Sequence, residues 1–375
     1  MLEKMGHAKY GFPVLVVILV SCVMALMFYP MIGMAPRELP FAVLNLDEGA
    51  STPQGDMNAG GMIVQTLTGP AAAGGTDPAP IAWRELASQA DVDAAIADNE
   101  LFGALTIPAG FTQQQVAAQA GEGDAPTVTV VLDNAKSPLA ATQLHAMLGT
   151  MLGQAGLAAD VQVVNTGTAT AGASPVAGMM SQQLGVLPLV IMSLVGSILL
   201  TRIFPARGAA GARDRLRALG AQALYAVGFA FLAGTAATVL LNGLVDAGLP
   251  FWQTTIFGWF ASLCVMALFL GAFNVAQPLG GLVAFCVVLG GMMTATLPRE
   301  MLPTFWADWV YPVTPQHMIA DGIRDMLYRG ADLMPHGTSG LLVVGGVGLA
   351  LLVVAAVVPR RGVGAQDAPA ELAAA

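Results

Sequence analysis

Six stretches of the chain are apolar and almost uncharged over about 20 residues, the length that a helix needs to cross a bilayer. Ordinary soluble domains are about a quarter charged, whereas only 10% of these 375 residues are charged and 55% are hydrophobic. We therefore expect a polytopic α-helical membrane protein with six transmembrane helices. They are predicted near Phe12 to Met34, Leu184 to Phe204, Ala218 to Val245, Thr255 to Ala276, Leu279 to Leu297 and Thr338 to Val358.

The first apolar stretch follows Lys4 and Lys9, as the core of a signal peptide would. It is longer than the roughly 7 to 15 residues of such a core, and Pro36 directly follows the small residues at which a peptidase would cut. Residues 1–34 are therefore predicted to be an interface segment and an uncleaved first transmembrane helix.

Positive charges in the short segments beside the six helices predict the orientation, because such residues are retained on the cytoplasmic side. Nine of them fall on one side, namely Lys4, Lys9, Arg202, Arg207, Arg213, Arg215, Arg217, Arg360 and Arg361. We expect a multi-pass plasma-membrane protein with both termini in the cytoplasm. Residues 362–375 are predicted to form a disordered cytoplasmic tail.

Residues 35–183 form the long segment between the first and second helices and are expected outside the membrane. Predicted strands alternate there with predicted helices, and a long helix is expected over Pro138 to Val164. This alternation favours a small extracytoplasmic α/β domain with a mixed or parallel sheet, joined by a flexible linker, Gly167 to Pro175. Asp47 and Asp133 each end a strand, where ligands often bind in open sheets; turn formation is the alternative role.

Several kinds of chemistry have no support in the sequence. None of the three lysines, Lys4, Lys9 and Lys136, follows a Walker A glycine loop, and there is no HExxH or GxSxG motif. The six apolar stretches have no interior Asp, Glu, His or Lys to relay protons. We expect no catalytic, metal or cofactor site, no enzyme activity and no nucleic-acid partner.

The segment "YPVTPQHMIADGIRDMLYRG" lies between the fifth and sixth predicted helices. Thr314 and Pro315 are suited to begin a helix and Gly330 to end one. The resulting helix, near 314–330, is amphipathic and too short to span a bilayer. Its charged residues form i,i+3 and i,i+4 pairs on a face that we expect to contact water. It belongs to a five-helix transmembrane domain predicted over residues 184–361.

A resemblance to known families rests on three sequences. "FAVLNLDEGA" and "WRELASQADVDAAIADNELFGALTIPAGFT" resemble the outer domains of Pip/YhgE-like membrane proteins and of ABC type-2 export permeases with an extracellular insert. "PVTPQHMIADGIRDMLYRG" resembles the element that precedes the last helix in these families. The resemblance implies an outer gate helix that carries Asp321, Gly322, Arg324 and Asp325.

The same resemblance implies the function and the partners. It implies the permease subunit of an ABC type-2 export system, a homodimer or heterodimer that uses a separate cytoplasmic ATP-binding subunit. Its substrate would be amphipathic, lipid-linked or drug-like and would move outward. The coupling site for the ATPase would include Arg213, Asp214, Arg215 and Arg217, between the second and third helices; the alternative is that these charges only set the topology.

A second function stays open at this point. Pip/YhgE-like proteins can act as phage receptors or as components of secretion assemblies, without transport activity of their own. The acidic outer segment would then be the binding module, since it carries 14 of the chain's 24 acidic residues and three basic ones.

Overall fold

The computed structural model describes residues 29–52, 55–69, 78–168, 175–209, 211–330 and 333–358, together with residues 18, 21, 22 and 25. Most of the first predicted transmembrane helix, the N-terminal segment 1–10 and the tail 362–375 lie outside these residues. The described part comprises an α/β domain followed by a bundle of long apolar helices.

The α/β domain contains seven strands and four helices. The strands are β1 Leu39–Asn45, β2 Ala50–Thr52, β3 Gly55–Met57, β4 Ile81–Leu86, β5 Gly103–Ile107, β6 Thr127–Asp133 and β7 Ala158–Val164. The helices are α1 Ala59–Thr68, α2 Gln89–Ala97, α3 Phe111–Gln119 and α4 Pro138–Gln154.

Five of the strands form one mixed sheet in the order β4-β1-β5-β6-β7. β1 is parallel to β4 and β5, β6 is antiparallel to β5, and β6 and β7 are parallel. Alternate residues of β1 point to opposite faces, as in any strand: Phe41 packs in the core with α1 and α4, and Ala42 packs with α2. Helices therefore cover both faces, and the predicted α/β fold with a mixed sheet is confirmed.

The predicted long helix over Pro138 to Val164 is wrong in its second half. Helix α4 ends at Gln154, Gly156 has a φ of +68°, and the chain then enters β7. A positive φ is easily adopted by glycine and stops a helix, and the alternating valines of "AADVQVV" suit a strand.

The described part of the bundle contains six further helices. They are α5 Pro175–Ile203, α6 Ala212–Leu244, α7 Phe251–Val275, α8 Gln277–Thr294, α9 Pro315–Tyr328 and α10 Thr338–Val357. All except α9 are long and apolar enough to cross a membrane, with α5 counted over Met180–Ile203. Five of the six predicted transmembrane helices therefore match helices in the structure.

Helix α7 lies between α6 and α10 and meets each at a contact between glycine backbones. A methyl group added at Gly258 of α7 would lie 3.0 Å from the Cα of Gly234 in α6. One added at Gly271 would lie 2.5 Å from the carbonyl oxygen of Gly348 in α10. Glycine at both members of each pair lets the helix axes approach closely.

The bundle has two distinct ends. We call one the domain end, because the α/β domain and α9 meet there: the amide of Thr168 donates to Leu327 O over 2.9 Å. We call the other the basic end. Arg202 lies there in the last turn of α5 and Arg207 follows the helix. Arg215 at the start of α6 donates to the carbonyl of Val358 after α10.

Candidate functional site

Helix α9 begins and ends where the sequence predicts. Thr314 is the residue before the helix, Pro315 is its first residue, and Gly330 follows the last turn with a φ of +63°. The Thr314 hydroxyl does not cap the first turn. It bonds instead to Tyr311 O over 3.2 Å and to the Thr294 hydroxyl over 3.0 Å, which joins the start of α9 to the end of α8.

Helix α9 is buried in the bundle, where it packs against α5, α7, α8 and α10. Gly322 faces the ring of Phe257, and an added methyl group would lie 2.2 Å from that ring. The prediction that the charged face contacts water is wrong, since Arg324 and Asp325 are only 6% and 4% exposed. The polar face of the amphipathic pattern meets another part of the protein.

The buried charges of α9 are paired within the helix, as the spacing predicts. Arg324 forms an ion pair with Asp321 one turn earlier, and both side chains are largely buried. Arg329 pairs with Asp325 over 3.4 Å. Burying a charge without a partner is costly, so these pairs allow a charged helix to lie at the domain end.

Arg329 also joins α9 to the α/β domain. Its Nη2 lies 2.8 Å from Oδ2 of Asp133, a fully buried carboxylate at the end of β6. On the other side, Asp325 Oδ2 accepts from the amide and from Nδ1 of His336, each over 2.6 Å. We call Asp133, Asp325, Arg329 and His336 the interdomain network.

Other contacts hold this network in place. Asp133 Oδ1 accepts from the amide of Ala135 and from Nδ2 of Asn165, each over 2.8 Å. Arg329 Nη2 also donates to the carbonyl of Ile96 over 3.0 Å, near the C-terminus of α2, where a cation is favoured by the helix dipole. Asp133 therefore both forms a turn and binds a cation from the bundle.

Lys136 is a further cation of the α/β domain near this junction. Its Nζ donates to the carbonyls of Asn99 and Glu100, over 2.8 and 2.6 Å. Burial lowers the pKa of Lys136 below its ordinary value, and the charge of Glu300 opposes that shift. Both bonds lie within the domain and hold the loop before β5 against the loop after β6.

Asp47, the other strand-ending carboxylate, is buried and binds only uncharged donors. It accepts from the amides of Thr112 and Gly60, over 3.1 and 3.2 Å, and from the Thr112 hydroxyl. Burial raises its pKa, but the hydrogen bonds from Thr112 and Gly60 outweigh burial, so the pKa lies below its usual value. Asp47 thus ties β1 to the first turns of α1 and α3, a structural role.

At the basic end, the predicted coupling residues occupy the first turns of α6. Arg215 donates to the carbonyls of Ala356 and Val358, over 3.2 and 3.0 Å, and so binds the C-terminal end of α10. Arg217 pairs with Asp214 over 3.4 Å on the surface. Arg213 is exposed and forms no ion pair with another described residue, so its guanidinium can reach a partner.

A cavity of about 310 Å³ opens beside these residues at the basic end. Arg202, Arg207, Asn274 and Gln277 line it, together with the turn that joins α5 to α6. The sequence predicts the positive charge of this end but not the cavity, because Asn274 and Gln277 belong to a different connection, the short break between α7 and α8.

Polar side chains inside the bundle join its helices to one another. Asn274 Nδ2 donates to Gln222 Oε1 over 2.6 Å, and Gln183 donates to the Thr296 hydroxyl over 2.8 Å. Within the described ranges, no group of three or more His, Cys, Asp or Glu side chains is placed to hold a metal ion.

A family model described as ABC-2 family transporter protein matches residues 12–357, which include the α/β domain, the five long helices and α9. The chain belongs to this ABC-2 family. No curated protein and no solved structure matches it. As an ABC-2 family member, the chain is a membrane component of a transporter that works with an ATP-binding partner. Membership favours transport over the role of a surface receptor.

His336 is the member of the interdomain network that the sequence analysis missed. It lies 11 residues beyond Asp325, past the end of α9. No periodic pattern connects two residues separated by an irregular segment, so the sequence carries no signal for this contact.

Proposed function

We propose that the chain is the permease subunit of an ABC export system and that it moves an amphipathic, lipid-linked or drug-like substrate outward. A separate cytoplasmic ATPase would supply the energy. The family match and the five apolar helices support this proposal. We further propose a homodimer or heterodimer in the bacterial plasma membrane, with the α/β domain outside, inserted between the first two helices, and both termini in the cytoplasm.

Helix α9 is the proposed outer gate, with Asp321, Gly322, Arg324 and Asp325 as its functional residues. The observation that carries this assignment is the position of Arg329, which binds Asp133 of the α/β domain and Asp325 of α9 together. A displacement of the domain changes the surroundings of the α9 charges. Because unpaired buried charges are costly, such a displacement favours a matching movement of α9.

The first turns of α6 are the proposed ATPase-coupling site, with Arg213, Asp214, Arg215 and Arg217. Helix α6 runs from the basic end to the domain end over 33 residues. At the domain end, two side chains lie against Gly185 of α5. One is Leu241, which belongs to α6, and the other is Ile323, which belongs to α9. A tilt of α6 that begins at the ATPase would therefore reach α9 through this contact.

Copurification tests the partnership. The full chain, expressed in its native host with an affinity tag and solubilised in mild detergent, should retain a nucleotide-binding subunit with a Walker A motif. A tagged membrane protein of similar size that is unrelated to transport is the control. If no such subunit copurifies above the control, the ABC permease proposal fails.

Export of an amphipathic fluorescent dye from cells tests the gate. Arg324→Ala should alter dye export while the protein remains folded and in the membrane. The double variant Asp321→Asn with Arg324→Gln removes both charges and leaves no unpaired carboxylate, so it separates the loss of the ion pair from the effect of an unpaired carboxylate. Arg84→Ala, which removes an exposed ion pair of the α/β domain, is the control. If both α9 variants export the dye as the wild-type protein does, α9 has only a structural role.

A further inference from the structure

The α/β domain contains a pocket of about 570 Å³ between α1 and α4, on the face of the sheet opposite α2. Its wall is mostly apolar and includes Met57, Met62, Ile63, Trp83, Met151 and Leu157. The volume falls within the roughly 300–1,000 Å³ of small-molecule sites in proteins.

The neighbouring stretch of this chain does not carry the side chains to fill this space. Helix α1 and strand β4, which both line the pocket, are connected through "PAAAGGTD", residues 70–77. This sequence has no apolar side chain larger than proline. This connection therefore supplies no large apolar side chain to fill the pocket, and a separate molecule with a hydrocarbon group can occupy it.

The side chains that line the pocket indicate which shape of hydrocarbon group fits into it. Three methionines, Met57, Met62 and Met151, are unbranched and polarizable, and such side chains adapt to flexible chains. Trp83 provides a flat apolar surface, held by an edge-to-face contact with Phe41 at 5.4 Å between ring centroids. A single flexible alkyl chain suits such a wall.

The polar surroundings indicate the sign of the head group. Among the described residues that line the pocket none is basic, and Gln115 and Thr66 are polar. Arg84, next to Trp83 in β4, is paired with Glu100.

The net charge of the whole segment between the first and second helices also favours a cationic head group. Residues 35–183 carry 14 acidic and three basic residues, a net charge of −11. A field of one sign raises the local concentration of oppositely charged ligands.

We propose that this pocket binds the hydrocarbon chain of a single-chain cationic amphiphile of the long-chain alkylamine class, with the ammonium group outside the apolar wall, where the net negative charge of the segment attracts it. The proposal is independent of export, because binding to the α/β domain needs neither an ATPase nor movement of α9.

Photolabelling of the full chain in lipid nanodiscs tests the proposal. The probe is a long-chain alkylamine with a diazirine near the end of its chain, and a carboxylate with the same chain is the comparison. Labelled peptides are identified by mass spectrometry. The amine should label peptides from α1 and α4, and an excess of plain dodecylamine should protect them.

Two tryptophan variants of α1 form a matched pair. Thr66 lines the pocket and Thr68 does not; both are exposed, and each hydroxyl bonds to the carbonyl four residues earlier. Thr66→Trp should reduce labelling of α1 and α4 by at least about tenfold, or about 1.4 kcal/mol of binding free energy, whereas Thr68→Trp should not. Ala155→Trp, on the opposite wall, is a second filling variant in case Thr66→Trp does not fold.

The outcomes separate the parts of the proposal. Equal labelling of the filled and control variants would overturn the pocket as the binding site. Labelling that is confined to the membrane helices would overturn it as well. Equal labelling of α1 and α4 by the carboxylate would overturn the cationic head group. Loss of labelling in the filled variants, together with preference for the amine, would support the whole proposal, whatever the result for export.

Discussion

The two ends of the helical bundle use charge in opposite ways. At the domain end, Asp133, Arg324 and Asp325 are almost completely buried and each is paired. At the basic end, Arg213 is exposed and forms no ion pair within the described part of the chain. Buried pairs hold two parts of one protein in a defined arrangement, whereas an exposed cation adds little to stability and is available to another protein.

The strongest test of this contrast is Arg329→Ala at the domain end. The variant leaves the buried carboxylates of Asp133 and Asp325 without their shared cation, so we expect a loss of about 3–5 kcal/mol in the free energy of unfolding. Denaturant unfolding in detergent measures it. Arg84→Ala is the control, because its pair with Glu100 is more than half exposed and should contribute about 0–1 kcal/mol. Similar losses in the two variants would contradict the contrast.

The close packing of α9 against Phe257 can be tested with a variant that changes no charge. In Gly322→Ala the added methyl group would lie 2.2 Å from the ring of Phe257, so the ring or the helix must move. We expect a loss of about 1–3 kcal/mol in the free energy of unfolding, with altered dye export. Gly346→Ala in α10 is the control, because no atom lies within 4 Å of the added group. If Gly322→Ala were as stable as the control, α9 would not be closely packed.

Asp47 shows how a buried carboxylate behaves without a cation. Its pKa is lowered in the folded protein, so its ionised form stabilises the fold above the ordinary value of 3.8, and this stabilisation is lost as the pH falls through the lowered pKa. Asp47→Asn should cost about 1–3 kcal/mol at neutral pH and weaken the acid dependence of unfolding. Unfolding measured from about pH 6 to about pH 2 checks both effects.

The control for Asp47→Asn is Asp56→Asn, at an exposed aspartate that accepts from the Ser51 hydroxyl. This change should leave the free energy of unfolding almost unaltered at neutral pH. If Asp47→Asn had the same acid dependence as the unmodified protein, Asp47 would not be the source of that stabilisation.

The smallest effect on stability is expected at the basic end. Arg213→Glu should change the free energy of unfolding by no more than about 0.5 kcal/mol, yet it should reduce the amount of ATPase that copurifies. Arg213→Lys retains the charge and should retain the partner. Undiminished copurification with Arg213→Glu would exclude Arg213 from the ATPase contact and leave it as a topology signal.

Local patterns in the sequence predict the elements of this fold well. The limits of α9 follow from Thr314, Pro315 and Gly330, and the break between α7 and α8 follows from the short polar interruption near Pro278. These signals lie within a few residues of the structure they determine. The prediction that α4 continues to Val164 is wrong because Gly156 ends the helix and the alternating valines of "AADVQVV" favour a strand.

The surroundings of α9 could not be predicted in the same way. Its amphipathic pattern correctly separates a polar from an apolar face, but the pattern is the same whether the polar face meets water or another domain. The pair of Arg329 and Asp133 spans 196 residues, and only the folded arrangement of the α/β domain brings it together. The sequence therefore predicts which charges pair within α9 and not which part of the protein they join.

The glycine contacts of α7 have a mechanical consequence. Small sliding movements of packed helices are one of the ways in which proteins change shape. At Gly234 with Gly258, and at Gly271 with Gly348, backbones meet without large side chains between them. A short translation of α6 or α10 along α7 therefore separates no interlocked side chains at these points. We therefore expect α6 and α10 to shift along α7 more easily at these two contacts than where large side chains interlock.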